Sequence, residues 1–266
     1  MKLISKGSIL FAGLLPAVML GIILGAGSGC SSVKSSFKSF FKEKPELSAE
    51  ENYQKGFHEY DRGKYTRAIP FFQKILENYP FSIYAIPAEL KIAESYFYDD
   101  KYAEAMAHLQ SFEELHPTNE HIPYILYMKG VSYFEQFTTT DRDVTVLENA
   151  KREFGELITR FPDSPHVQEA RPKLKDIRYK LAEHDFYVAR FYYQDSKFEA
   201  ALNRFARVYQ EYPEEGIADR AIYYIGKCYF FLQDNEKAQK AFFELIKQFP
   251  NSPYSSQANM FLADIE

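Results

Sequence analysis

The chain has 266 residues, with 12 Gly, 13 Pro, 2 Cys and no Trp, and 46% hydrophobic against 26% charged residues, which excludes a disordered or low-complexity polypeptide. Two cysteines exclude a disulfide framework or a cysteine-based zinc site, and a net charge of −5 without a long basic run speaks against nucleic acid as a partner. A load of 21 Tyr and 24 Phe on so little Gly and Pro points to packed helices rather than a β-sandwich.

Lys2 and Lys6 precede an apolar run from Ile9 to Leu24, then small residues from Gly25 to Gly29, then Cys30. Basic, apolar and small segments in that order predict a secretory signal over residues 1–29. Gly13, Pro16 and Gly21 interrupt the apolar run and disfavour a permanent membrane helix. Cys30 stands where a lipoprotein signal places its acceptor thiol. The segment resembles a bacterial lipobox, with Gly27 where that pattern prefers Leu, so Cys30 is the predicted lipidation site. Ser31, where an Asp would imply inner-membrane retention, favours the outer membrane. Residues 30–48 are rich in Ser and Lys, among them Lys34, Lys38, Lys42 and Lys44, and read as a flexible tether whose lysines can rest on anionic head groups. Loss of the signal removes Lys2 and Lys6 and takes the net charge from −5 to −7.

From residue 49 onward the chain repeats. Ala68, Ala105, Ala150, Ala201 and Ala238 are each followed twelve residues later by a proline: Pro80, Pro117, Pro162, Pro213 and Pro250. Four residues after each alanine stand Phe72, Leu109, Phe154, Phe205 and Phe242; seven after stand Ile75, Phe112, Leu157, Val208 and Leu245. Offsets of 0, 4 and 7 trace one helix face, and the proline ends the helix. Twelve residues before four of the alanines are Gly56, Ala93, Ala189 and Gly226, with Gly130 displaced by an insertion in the third unit around Gln136–Leu147. Each small residue is followed within a turn by an aromatic, which marks a preceding helix and its crossing point. In the fourth unit the extra residues read as a lengthened first helix, His166 to Gln194. One further helix from about Tyr254 caps the last unit.

Small-xx-Tyr, then Ala-xxx-Phe, then Pro at plus twelve resembles the tetratricopeptide repeat, a pair of antiparallel helices. The expected fold is all-α: a right-handed solenoid of five such repeats with a C-terminal capping helix. Residues 49–120 form repeats one and two, and residues 121–266 form repeats three to five and the cap.

Chemistry is hard to find. Six histidines show no metal-ligand spacing, Gly63-Lys64 lacks the rest of a phosphate loop, and no Ser-His-Asp arrangement follows from spacing. No catalytic residue, metal or cofactor is expected, and Cys228 reads as a buried, inert thiol. The first helices of stacked repeats line a groove. In the first two units Tyr53, Phe57, Tyr60, Leu90, Glu94 and Phe97 are the candidate lining, a surface suited to extended peptides.

Leu181-Ala182-Glu183-His184-Asp185, Val188 to Tyr193, and Phe198 to Arg204 resemble the BamD family of lipoproteins of the outer-membrane β-barrel assembly machine. Gly63-Lys64-Tyr65 with Ala68-Ile69, and Tyr79-Pro80-Phe81-Ser82 with Ala85, are similar to that family too. The resemblance implies a scaffold without catalysis in the outer membrane of a Gram-negative bacterium, lipid-anchored and facing the periplasm. It implies as partners a BamA-like barrel-inserting protein, bound by the helix with Asn203 and Arg204, other lipoproteins of the complex, and unfolded outer-membrane protein precursors in the aromatic groove. A different envelope adaptor, or an enzyme with a site in the third-unit loop, remain the alternative classes.

Overall fold

A computed structural model describes residues 46–139 and 143–265. The signal, Cys30 and the tether up to residue 45 lie outside the described residues. Leu47–Glu266 form one compact unit. Among the described residues it holds eleven helices and no strand: α1 Ala49–Asp61, α2 Tyr65–Asn78, α3 Ala85–Tyr98, α4 Tyr102–Leu115, α5 Ile122–Glu135, α6 Thr145–Arg160, α7 His166–Gln194, α8 Phe198–Glu211, α9 Ala218–Phe231, α10 Asn235–Gln248 and α11 Pro253–Ile265. Packing follows chain order, α1 on α2, α2 on α3 and so on, with further contact between α5 and α7 and between α9 and α11. These are the five helix pairs and the capping helix that the repeat spacing predicts.

The physical ruler is visible in each second helix. All five ruler alanines and the residues four and seven after them are fully buried. The residue before each proline falls just outside the helix with φ between −126° and −136° and ψ between 50° and 58°. Proline's ring disfavours α geometry at the residue before it, so Tyr79, His116, Phe161, Tyr212 and Phe249 each stop their helix. The next helix is then launched by a side chain two residues beyond the proline in four units. Ser82, Asn119, Ser164 and Ser252 accept from the backbone N–H of Tyr84, His121, His166 and Tyr254 at 3.2, 2.9, 3.4 and 3.2 Å.

Within a repeat the turn is also recurrent. Gly63, Asp100, Ser196 and Gln233, each five residues before the ruler alanine, have φ of 69°, 57°, 57° and 62°. The following N–H closes back onto the first helix: Lys64 to Glu59, Lys101 to Tyr96, Lys197 to Tyr192, Asp234 to Tyr229, at 2.9 to 3.0 Å. This is a left-handed helix cap that satisfies the last carbonyls. The third unit replaces it with the segment 136–144. That insertion is shorter than the sequence suggested, because α6 begins at Thr145 and Leu147 is buried in its first turn.

One buried ion cluster joins the second and third repeats. Lys129 on α5 places its Nζ 2.8 Å from Glu113 Oε2 on α4 and 2.9 Å from Glu153 Oε2 on α6. Burial works against its charge, but the two carboxylates outweigh that and raise its pKa. Cys228 is buried as a free thiol, and burial pushes its pKa up to about 12, so it stays protonated and unreactive.

Candidate functional site

Three rings run along one face of α1. Tyr53 and Phe57 stack with centroids 6.4 Å apart, and Phe57 and Tyr60 stack at 6.2 Å. Residues 53, 57 and 60 share this face because four-residue and three-residue steps bring side chains into one column. Tyr60 then meets Tyr65 at 5.4 Å and Tyr98 at 6.2 Å, while Tyr53 meets Tyr84 at 5.3 Å. Facing them, α3 presents Lys91 and Glu94. The Lys91 ammonium lies 4.3 Å from the Tyr60 centroid and 5.9 Å from that of Phe57, and it pairs with Glu94 Oε2 at 2.5 Å.

This surface opens into a cavity of about 400 Å³ lined by Tyr53, Pro87, Leu90, Lys91, Glu94, His121, Tyr124 and His166. Its walls come from α1, α3, α5 and α7, the first helices of four successive repeats. Tyr124 and Tyr98 place their hydroxyls 3.1 Å apart. Burial, and after it the charge of Glu94, holds the Tyr60 phenol far above its usual range; burial, the Tyr98 hydrogen bond and Glu94 do the same for Tyr124. Both remain neutral hydroxyls able to donate as well as accept.

Of the six candidate groove residues, Tyr53, Phe57, Tyr60 and Glu94 lie together on this surface. Leu90 lines the cavity, but at 7% exposure it forms its floor rather than a contact surface. Phe97 stands apart from these contacts. It packs edge-on against Tyr102 with centroids 5.9 Å apart, at the turn within the second repeat. Tyr98, one residue on, takes the groove position. Helical spacing alone does not separate the two: 97 and 98 stand three and four residues after 94, on either side of it, and the packing of α3 decides which ring meets Tyr60. Tyr65, Tyr84, Lys91, Tyr124 and His166 were also missed. They reach the site from α2, the turn before α3, α3 itself, α5 and α7.

In the other half, Asn203 is exposed on α8. Arg204 is half-buried, with its guanidinium carbon 4.7 Å from the Tyr192 centroid, so a neighbouring first helix holds it in place. A second cation was not foreseen at all. Lys227 on α9 lies 4.9 to 5.7 Å from the rings of Tyr193, Tyr224, Tyr223 and Phe261, drawn from α7, α9 and α11. Burial lowers its pKa. Among the described residues there is no group of His, Cys, Asp and Glu that could hold a metal ion, and no helix is long and apolar enough to cross a membrane.

Helix pairs stacked so that their first members share one continuous side-chain surface define a tetratricopeptide-repeat solenoid, a class whose working part is that surface. Residues 45–241 match the family described as YfiO, outer membrane lipoprotein, and on that match the chain belongs to this family. Its curated relatives are outer membrane protein assembly factors named BamD. The BamD of Rickettsia prowazekii is 31% identical over 206 residues, covering 77% of this chain and 82% of the relative. That of Caulobacter vibrioides is 26% identical over 226 residues, covering 83% and 74%. Among solved structures, the tetratricopeptide-repeat domain of P58(IPK) aligns with a TM-score of 0.42 at 16% identity, covering 81% of this chain and 56% of that one.

Proposed function

We propose that the chain is a non-catalytic, lipid-anchored scaffold on the periplasmic face of the outer membrane. In this reading the Tyr53–Phe57–Tyr60 groove receives unfolded outer-membrane protein precursors, and the α8 surface around Asn203 and Arg204 holds the barrel-inserting subunit. Other lipoproteins of the complex complete the assembly. The observation that carries the precursor reading is the ring spacing. Same-side residues of an extended strand recur about every 6.7 Å, and the α1 rings stand 6.4 and 6.2 Å apart. An arriving strand with alternating aromatic residues therefore matches the ladder ring for ring. The neutral hydroxyls of Tyr60 and Tyr124 suit its backbone carbonyls.

The test is affinity purification of the full chain from membranes, with a photo-crosslinking residue at position 57. The expected result is co-purification of a barrel-inserting protein and light-dependent capture of nascent barrel precursors through their terminal strand. Recovery of cell-division or peptidoglycan proteins in their place would overturn the reading. Mass spectrometry of the mature N-terminus tests the anchor, with a lipid-modified Cys30 as the expected product.

A further inference from the structure

The turns between repeats share a plan, and the first one breaks it. Each has its proline at plus twelve from the ruler alanine, and four cap the next helix with Ser or Asn at plus fourteen. The position between them carries no such duty. The later repeats place Thr118, Asp163, Glu214 and Asn251 there, all polar. The first repeat places Phe81, and follows the cap with Ile83. Phe81 is fully exposed and Ile83 is 84% exposed. The same turn in three other copies shows that the fold does not ask for either side chain.

The display is ordered. Ser82 donates its N–H to the Tyr79 carbonyl at 3.0 Å, and Ala85 donates to the Ser82 carbonyl at 3.0 Å, so the turn holds its two apolar tips outward. From Asn78 to Ala88 there is no charged residue. The turn also marks the place where the chain enters the fold. Tyr79, two residues before Phe81, donates its hydroxyl to the Leu47 carbonyl at 3.0 Å, and Asn52 donates to the same carbonyl at 2.9 Å. Directly upstream of Leu47 runs the tether, where Lys34, Lys38 and Lys42 alternate with Phe37, Phe40 and Phe41. Basic and aromatic residues in that mixture suit an anionic lipid surface.

We propose that the turn from Phe81 to Ile83 is a second membrane contact, seating its two apolar side chains in the headgroup boundary beside the point where the tether joins the solenoid. The proposal rests on the lipid-anchored reading above. A lipid anchor at one point does not by itself set the direction of the solenoid. A second contact at its base fixes its direction, and an uncharged turn enters the interface without stripping water from an ion.

The chain contains no Trp, so Phe81→Trp introduces a single indole whose emission can be excited apart from the tyrosines. The full lipidated chain is reconstituted on phosphatidylethanolamine–phosphatidylglycerol vesicles, and flotation measures anchoring separately from fluorescence. The expected result is a shift of the indole emission to shorter wavelength and quenching when brominated acyl chains are included. Ile83→Trp should behave alike, while Phe243→Trp, exposed on α10, should show neither effect. Floating protein with unshifted and unquenched emission at 81 and 83 would overturn the proposal while leaving the anchor intact. Emission that responds only when the barrel-inserting partner is added would also overturn it and make the turn a protein interface. Failure to float would remove the anchor reading and this proposal together.

Discussion

Phe242 lies so close over Gly226 that a Cβ on that glycine would stand 2.4 Å from the ring's Cε1. The relation recurs at Gly56 with Phe72 and Gly130 with Phe154, at 2.8 and 2.6 Å. In these three repeats the ring of the second helix rests directly on the backbone of the first. Gly226→Ala gains about 1 kcal/mol of helix propensity but forces an overpacked contact costing about 1–3 kcal/mol. The expected outcome is a lower melting temperature. Gly155→Ala on α6 is the counterpart: nothing lies within 4 Å of its added Cβ, and it should gain about 0.5–1 kcal/mol. A Gly226→Ala protein melting at or above the parent would show that the ring yields freely.

Gln233 occupies the left-handed turn position at φ 62° where the first repeat has Gly63. A side chain there costs about 1 kcal/mol. Gln233→Gly should therefore raise the urea midpoint slightly, despite the extra freedom glycine gives the unfolded chain. A drop in the midpoint would mean that the Gln side chain makes a compensating contact.

Phe57 is 41% exposed, between Tyr53 and Tyr60. Phe57→Asp should cost about 1–2 kcal/mol of stability through the two lost ring contacts. The fully buried Phe72 should cost about 3–5 kcal/mol when cut to Ala. Binding of a peptide from a barrel's terminal strand should fall by about tenfold or more in the Phe57 variant, read by fluorescence anisotropy. Unchanged peptide affinity in a folded variant would remove the α1 ladder from the groove.

Arg204→Glu should lose the stack on Tyr192, about 0.5–1 kcal/mol, and still fold. Co-purification of the barrel-inserting partner should be lost, since reversed charge turns a paired contact into a repulsion. Arg204→Lys keeps the charge without the planar fork and should retain part of the binding. Undiminished co-purification of the Glu variant at high salt would mean that the partner sits elsewhere.

His108 stacks on Tyr96 at 5.2 Å, and burial lowers its pKa while the charge of Glu89 works weakly the other way. A lowered folded pKa means that folding favours the neutral ring. The stabilisation is present above the ordinary His pKa, about 6.5, and is lost as pH falls through the lower folded value. Melting temperature should decline over that acid window, and His108→Phe should flatten this part of the profile. An unaltered profile in the variant would place the acid sensitivity on other groups.

The helix pairs were legible because their determinants are local. Proline at plus twelve and a three-and-four-residue apolar period act within one turn of the chain, so even the 29-residue α7 could be bounded from His166 to Gln194. The site was legible only where a single helix builds it, as with Tyr53, Phe57 and Tyr60. Phe97 stands four residues after Ala93, as Tyr60 stands four after Gly56, so the repeat spacing makes them equivalent; only the packing of α3 against α4 sets the Phe97 ring on Tyr102. Lys227 could not be found in this way. Its four rings come from three helices, and only the stacking of repeats brings them around one ammonium.

Packing that follows chain order also decides how the molecule bears tension. Under the proposed function, a pull between the anchored N-terminus and a partner on α8 would run through repeats one to four in series, each joint transmitting the whole load. The stack should yield one repeat at a time in a sawtooth rather than in a single rupture. The buried Lys129–Glu113–Glu153 cluster lies across the joint between the second and third repeats and so stiffens it against such a load.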